Sequence, residues 1–135
     1  MGRALYLDTS ALLRATLEVG TTPEIEERIR RAKVLVASRL SLVESARALI
    51  RIRSLPDMPP RLAEIERQID TFFSRCELWE LTAEVCDLAC RVAPARHLRT
   101  LDSLHLATFV LARRRVEDLE LLTADNRLEE AANSV

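Results

Sequence analysis

The chain has 135 residues, 48% of them hydrophobic and 30% charged, enough for one domain with a real core and unlike disordered, collagen-like or mucin-like sequences. Its apolar runs fall far short of a membrane span, and the opening "MGRALYLD" meets an acid too early for a signal-peptide core, so a cytoplasmic protein folded as a single domain over residues 1–135 is expected. A formal net charge of -1 gives no reason of its own to expect a polyanionic partner.

Apolar runs of strand length occur at Ala4 to Leu7, Val34 to Ala37, Glu77 to Leu81 and Leu119 to Thr123. After the first run come two helical stretches, "TSALLRATLEV" and "TPEIEERIRRAK", the second with Pro23 placed for an opening turn. "RLSLVESARALIRI" spaces Leu42, Val43, Ala46, Leu49 and Ile50 as the apolar stripe of an amphipathic helix, and "LPDMPP" breaks it. Helical spacing resumes from Arg61 to Arg75, again from Ala83 to Val92, and from about Thr100, a candidate cap, to Arg114. Strands separated by helices imply crossover connections, hence an α/β fold with a mainly parallel sheet of about four to five strands flanked by helices.

Gly2 and Gly20 are the two glycines, which excludes a dinucleotide fingerprint and a phosphate-cradling P-loop. Cys76, Cys86 and Cys90 are an odd number, so a disulfide framework is not expected. Cys86 and Cys90 lack two further local ligands for zinc, and all three are expected as buried thiols. Every one of the 20 basic residues except Lys33 is arginine. Arginine grips phosphate through paired hydrogen bonds, although a GC-rich genome produces the same bias.

Four acids stand where a site could form. Asp8 and Asp125 follow the first and last strands directly, at the strand ends where parallel sheets bind ligands. Each also suits a helix N-cap. Glu44 lies in the apolar half of its helix, where pairing with Arg47 or plain solvation is the simpler reading. Asp102 opens a very apolar helix, where an acid favours the positive end of the helix dipole.

The segments "LYLDTSALL", "SLVESARAL", "LRTLDSLHLATFVLA" and "LLTADNRLEEAA" resemble, in order, the four signature blocks of the PIN domain family, and cover nearly the whole chain. Among PIN domains the chain is most similar to the VapC-type toxin ribonucleases of bacterial toxin–antitoxin systems. The resemblance implies a Rossmann-like fold and a metal-dependent endoribonuclease acting on structured RNA. Its acidic quartet falls on Asp8, Glu44, Asp102 and Asp125, with supporting hydroxyls on Ser10 and Thr123. It also implies a cognate antitoxin and a homodimer. An RNA-processing nuclease without an antitoxin and a non-catalytic PIN-like interaction module are the alternatives.

The chemistry suits the donors. Phosphodiester hydrolysis benefits from a hard divalent ion, and magnesium or manganese takes carboxylate oxygens. Clustered acids without a cation would repel one another or hold protons. Arg96, Arg99, Arg113 and Arg114, with Arg115 beside them, are candidates for holding RNA backbone. His105, three residues after Asp102, is a candidate general base, as is His97, though packed histidines are commoner. Tyr6 and Trp79 are expected in the core, as are Phe72, Phe73 and Phe109 unless they face a partner.

Overall fold

The computed structural model describes residues 3–57 and 60–135. Four strands, β1 (Ala4–Leu7), β2 (Val34–Ser38), β3 (Cys76–Trp79) and β4 (Leu119–Leu122), form one sheet in the order β3-β2-β1-β4. Every pairing is parallel. Seven helices accompany them among the described residues: α1 (Thr9–Thr16), α2 (Pro23–Arg31), α3 (Arg39–Arg53), α4 (Leu62–Arg75), α5 (Ala83–Ala89), α6 (Thr100–Ala112) and α7 (Asn126–Asn133).

Strands β1 and β2 read as nearly continuous apolar runs because both sheet faces are covered there, whereas β3 and β4 carry the exposed Glu77 and the half-buried Glu120. Leu5, Leu7, Leu35 and Ala37 pack on one face with Leu12 of α1, Ile25 and Ile29 of α2, and Ile65, Ile69 and Phe72 of α4. Their alternates, Ala4, Tyr6 and Val36, pack on the opposite face with Leu106 and Phe109 of α6 and Leu128 of α7. Strands β2 and β3 lie to one side of β1 and β4 to the other. The chain therefore reverses direction across the sheet between β1 and β4, and the crevice beyond their carboxyl ends is where such sheets bind ligands.

Several sequence expectations shift. Strand β3 is Cys76–Trp79 rather than residues 77–81, and Leu81 lies exposed beyond it. As an edge strand it pairs with β2 alone, so pairing ends where β2 gives way to α3. Helix α3 turns a different stripe inward from the one its apolar spacing suggests. Leu40, Ser41, Ser45 and Ala48 are buried, whereas Val43 and Ile50 are 54% and 47% exposed. Small side chains there let the helix lie close to its neighbours. Cys86 and Cys90 are exposed, because α5 buries only Val85 and its turn carries them outward. Cys76 is half-buried, and burial pushes its thiol up to about 12.

The cap of α6 is Arg99, with Thr100 as the first helical residue. The helix α7 has no counterpart in the strand and helix pattern read above. Of the "LPDMPP" break, Met58 and Pro59 lie outside the described residues. No described helix is long and apolar enough to cross a membrane.

Candidate active site

Asp8 is buried, 4% exposed, at the step from β1 into α1. It is a cap as well as a site candidate, since its Oδ1 accepts from the backbone N–H of Ala11 at 3.1 Å. The Ser10 hydroxyl lies 2.8 and 2.9 Å from its two oxygens, and Thr123 Oγ1 donates to Oδ2 at 2.8 Å. Burial raises the Asp8 carboxyl above its usual range, and the bonds from Ala11, Ser10 and Thr123 offset only part of that. Ser10 and Thr123 also order the neighbouring turn: Ser10 Oγ accepts from the Ala124 N–H at 3.0 Å, and Thr123 Oγ1 from the Asp125 N–H at 3.0 Å. Ends of β1 and β4 are thereby stitched together at the crevice.

Asp125 caps α7, its Oδ1 accepting from the Arg127 N–H at 2.9 Å. Asp102 stands in the first turn of α6, half-buried. A helix N-terminus favours a carboxylate, yet the Asp102 carboxyl is raised. Burial is the largest cause, followed by the negative charges of Asp125 and Asp8. The acids at the end of β1 and the end of β4 thus bear on the acid at the start of α6.

Glu44 belongs to a different set of contacts. Its Oε1 accepts from Thr9 Oγ1 at 2.6 Å and lies 2.7 Å from His105 Nε2, and it makes no pair with Arg47 among the described residues. Burial pushes its carboxyl up, but the bonds from His105 and Thr9 outweigh that and leave it lowered. The His105 ring is 2% exposed, with Nδ1 2.8 Å from the Tyr6 hydroxyl. Both ring nitrogens are occupied, which leaves neither free to take a proton from a water. His97 is exposed in the loop before α6.

The donors are of the right kind for a hard cation: carboxylates and hydroxyls, with Asp8 and Asp102 raised in a way that a nearby positive charge would relieve. Among the described residues, however, no three His, Cys, Asp or Glu side chains are arranged to hold an ion as they stand. The oxygens of Asp8 are turned to Ser10, Thr123 and Ala11.

Thr9 and Ser41 are polar residues that the sequence pattern does not single out, and Tyr6, expected in the core, is buried there with its hydroxyl against His105. The visible signal was a phenol set in an otherwise aliphatic strand and hydroxyls on the inward side of α1 and α3. Arg99 caps α6, at the same end as Asp102, and Arg96 precedes it, 3.7 Å from Glu130. Arg113 and Arg114 lie past the other end of α6, where Arg113 stacks 5.3 Å from the Phe109 ring centre. At about 1.5 Å per residue they are roughly 16 Å along the helix from Asp102.

A parallel α/β domain with Asp8 and Asp125 following its neighbouring strands β1 and β4 is the class of protein that the structure defines. The sequence signature of the PIN domain matches residues 5–134, and the chain belongs to the PIN domain family. It is 31% identical over 133 residues to Ribonuclease VapC46 of Mycobacterium tuberculosis, covering 98% of this chain and 92% of that relative. Ribonuclease VapC35 of the same species is 32% identical over 135 residues, covering 97% of this chain and 91% of the relative. The crystal structure of VapBC2 from Rickettsia felis, bound to a DNA fragment from their promoter, superposes with a TM-score of 0.61 at 14% identity. That match covers 90% of this chain and 99% of the other, and shows a shared fold.

Proposed function

We propose that this protein is a metal-dependent endoribonuclease, the toxin of a two-protein toxin–antitoxin pair, acting in the cytoplasm on structured RNA. The observation that carries the reading is Asp102 at the start of α6, whose carboxyl is raised by burial and then by the charges of Asp125 and Asp8 at the ends of β4 and β1. Relatives over nearly the full length named as ribonucleases support it. A cognate antitoxin and a homodimer are carried over from the family resemblance.

Asp8, Asp102 and Asp125, with Glu44, would hold magnesium or manganese. Once bound, such an ion screens the anionic phosphodiester and acidifies a water for in-line attack. Ser10 and Thr123 fix the orientation of Asp8. Arg96 and Arg99, at the acidic end of α6, would hold RNA backbone, the weak exposed contact of Arg96 with Glu130 being readily exchanged for a phosphate. Hydrolysis leaves 5′-phosphate and 3′-hydroxyl ends.

The test is incubation of the purified protein with total RNA, with and without manganese, and mapping of the cut ends. Manganese-dependent cuts bearing those ends, abolished by Asp8→Asn, are expected. No cleavage with manganese, or cleavage that survives Asp8→Asn, overturns the proposal.

A further inference from the structure

A chain of buried hydrogen bonds links four elements behind the acidic crevice. Tyr6 of β1 is fully buried, and its hydroxyl lies 2.8 Å from His105 Nδ1 on α6. His105 Nε2 lies 2.7 Å from Glu44 Oε1 on α3. The same oxygen accepts from Thr9 of α1 at 2.6 Å, and Thr9 Oγ1 is in turn 3.0 Å from the buried Ser41 hydroxyl. Thr9 and His105 Nε2 are themselves 3.3 Å apart.

With a neutral His105 ring the donors sort themselves in one way. Ser41 donates to Thr9, because the Thr9 proton goes to a carboxylate that only accepts. Tyr6 sits in a site where burial, then the charges of Asp8 and Glu44, oppose its ionisation, so its phenol keeps a proton to give. Nδ1 of His105 then accepts from Tyr6, which places the ring proton on Nε2, aimed at Glu44. A glutamate on a helix ordinarily samples many rotamers. Here one of its oxygens is held from two sides, while Oε2 has no protein hydrogen-bond partner among the described residues.

We propose that His105 is a positioning residue: with its tautomer set by Tyr6, it clamps Glu44 Oε1 and presents Oε2 as the free oxygen of that carboxylate. The proposal rests on the nuclease reading above. Neither Tyr6 nor His105 touches the substrate or the ion. Their effect passes through Glu44, as outer partners of ligating groups act in other sites.

Three measurements on the purified protein test it. The ¹⁵N spectrum of the metal-free wild type should show His105 protonated at Nε2, and Tyr6→Phe should lose that pure tautomer. Manganese binding, followed by electron paramagnetic resonance, should weaken about 10- to 100-fold in His105→Asn, whose shorter amide cannot reach Glu44. In His105→Gln, whose amide nitrogen reaches the place of Nε2, most of that affinity should return. Cleavage should follow the same order, with kcat falling in His105→Asn and the KM for RNA staying within roughly twofold.

A wild-type ring protonated at Nδ1, a folded His105→Asn that matches the wild type, or a folded His105→Gln as impaired as His105→Asn overturns the clamp while leaving the nuclease intact. Wild-type protein that neither binds manganese nor cleaves RNA overturns the nuclease reading, and the clamp with it. Should His105→Asn fail to fold, Tyr6→Phe decides, since it removes one oxygen. A loss of manganese affinity smaller than that expected of His105→Asn supports the proposal, and no change refutes it.

Discussion

Thr123 Oγ1 donates a 2.8 Å hydrogen bond to Oδ2 of Asp8 across 115 residues of sequence, and in doing so ties the end of β4 to the end of β1 at the crevice. The same hydroxyl accepts from the Asp125 N–H, so one small side chain supports two of the acids. Thr123→Val keeps the shape and removes both bonds. It should destabilise the protein by about 1–3 kcal/mol, since a buried carboxylate loses a donor and a backbone N–H loses its acceptor. Urea unfolding measures this, and a loss below about 0.5 kcal/mol would show that water replaces the hydroxyl.

Asp102 offers a test by pH. Its carboxyl is raised by burial and then by Asp125 and Asp8, so the protonated form is the one the fold prefers. The stability this lends is complete below the ordinary value of 3.8 and is lost as pH rises through the folded value. Asp102→Asn should therefore raise the melting temperature of the metal-free protein at neutral pH and give no advantage in strong acid. Equal melting at neutral pH would mean that the helix dipole compensates fully.

Glu44 carries the opposite sign. Despite burial, the bonds from His105 and Thr9 leave its carboxyl lowered from 4.5. Its contribution is present above that value and lost as pH falls through the folded one. Glu44→Gln should cost about 1 kcal/mol at neutral pH, and its stability curve should converge on that of the wild type in acid. Parallel curves over the whole acid range would remove the ionised Glu44 from the account.

Metal should act on the whole cluster. Saturating manganese, at about 100 times its dissociation constant, stabilises a one-site protein by about 2.7 kcal/mol. The wild type should gain that in thermal unfolding, and Asp8→Asn and Asp102→Asn should lose most of the gain. Equal gains in all three would argue against a shared site.

Away from the crevice, Leu128 of α7 is fully buried against the α6 face of the sheet. Leu128→Ala should cost about 2–5 kcal/mol by the transfer and cavity terms. Calorimetry checks this, and a small loss would mean that α7 contributes little to the core.

How much of this was legible beforehand varies with how local the cause is. The four apolar runs marked the four strands: β1 and β2 are buried on both faces, and β3 and β4 keep enough apolar residues around Glu77 and Glu120 to read as strands. Helix α7 escaped because its inward face is only Leu128, Ala131 and Ala132, too slight a stripe to stand out without the sheet beneath it. The inward face of α3 was misjudged for a related reason. Ser41 and Ser45 are buried by close packing, while Val43 and Ile50 stay in solvent, and apolar spacing has no term for such proximity.

The candidate acids were legible as residue types at strand and helix ends, and the family followed from those blocks. Their relations were not. That Asp8 answers to Thr123, that Asp102 feels Asp125, and that Glu44 is held by His105 and not Arg47 are facts about side chains brought together across the fold.

By itself, then, the sequence determined the α/β class, the order of its strands and the residues that could supply oxygen donors, since these depend on local pattern. Only the tertiary structure decided which faces are buried, which carboxylates are raised or lowered, and that a tyrosine 99 residues away meets His105. The physical reason is that burial and hydrogen bonding are set by neighbours in space, and the parallel crossovers bring distant parts of the chain to one sheet edge.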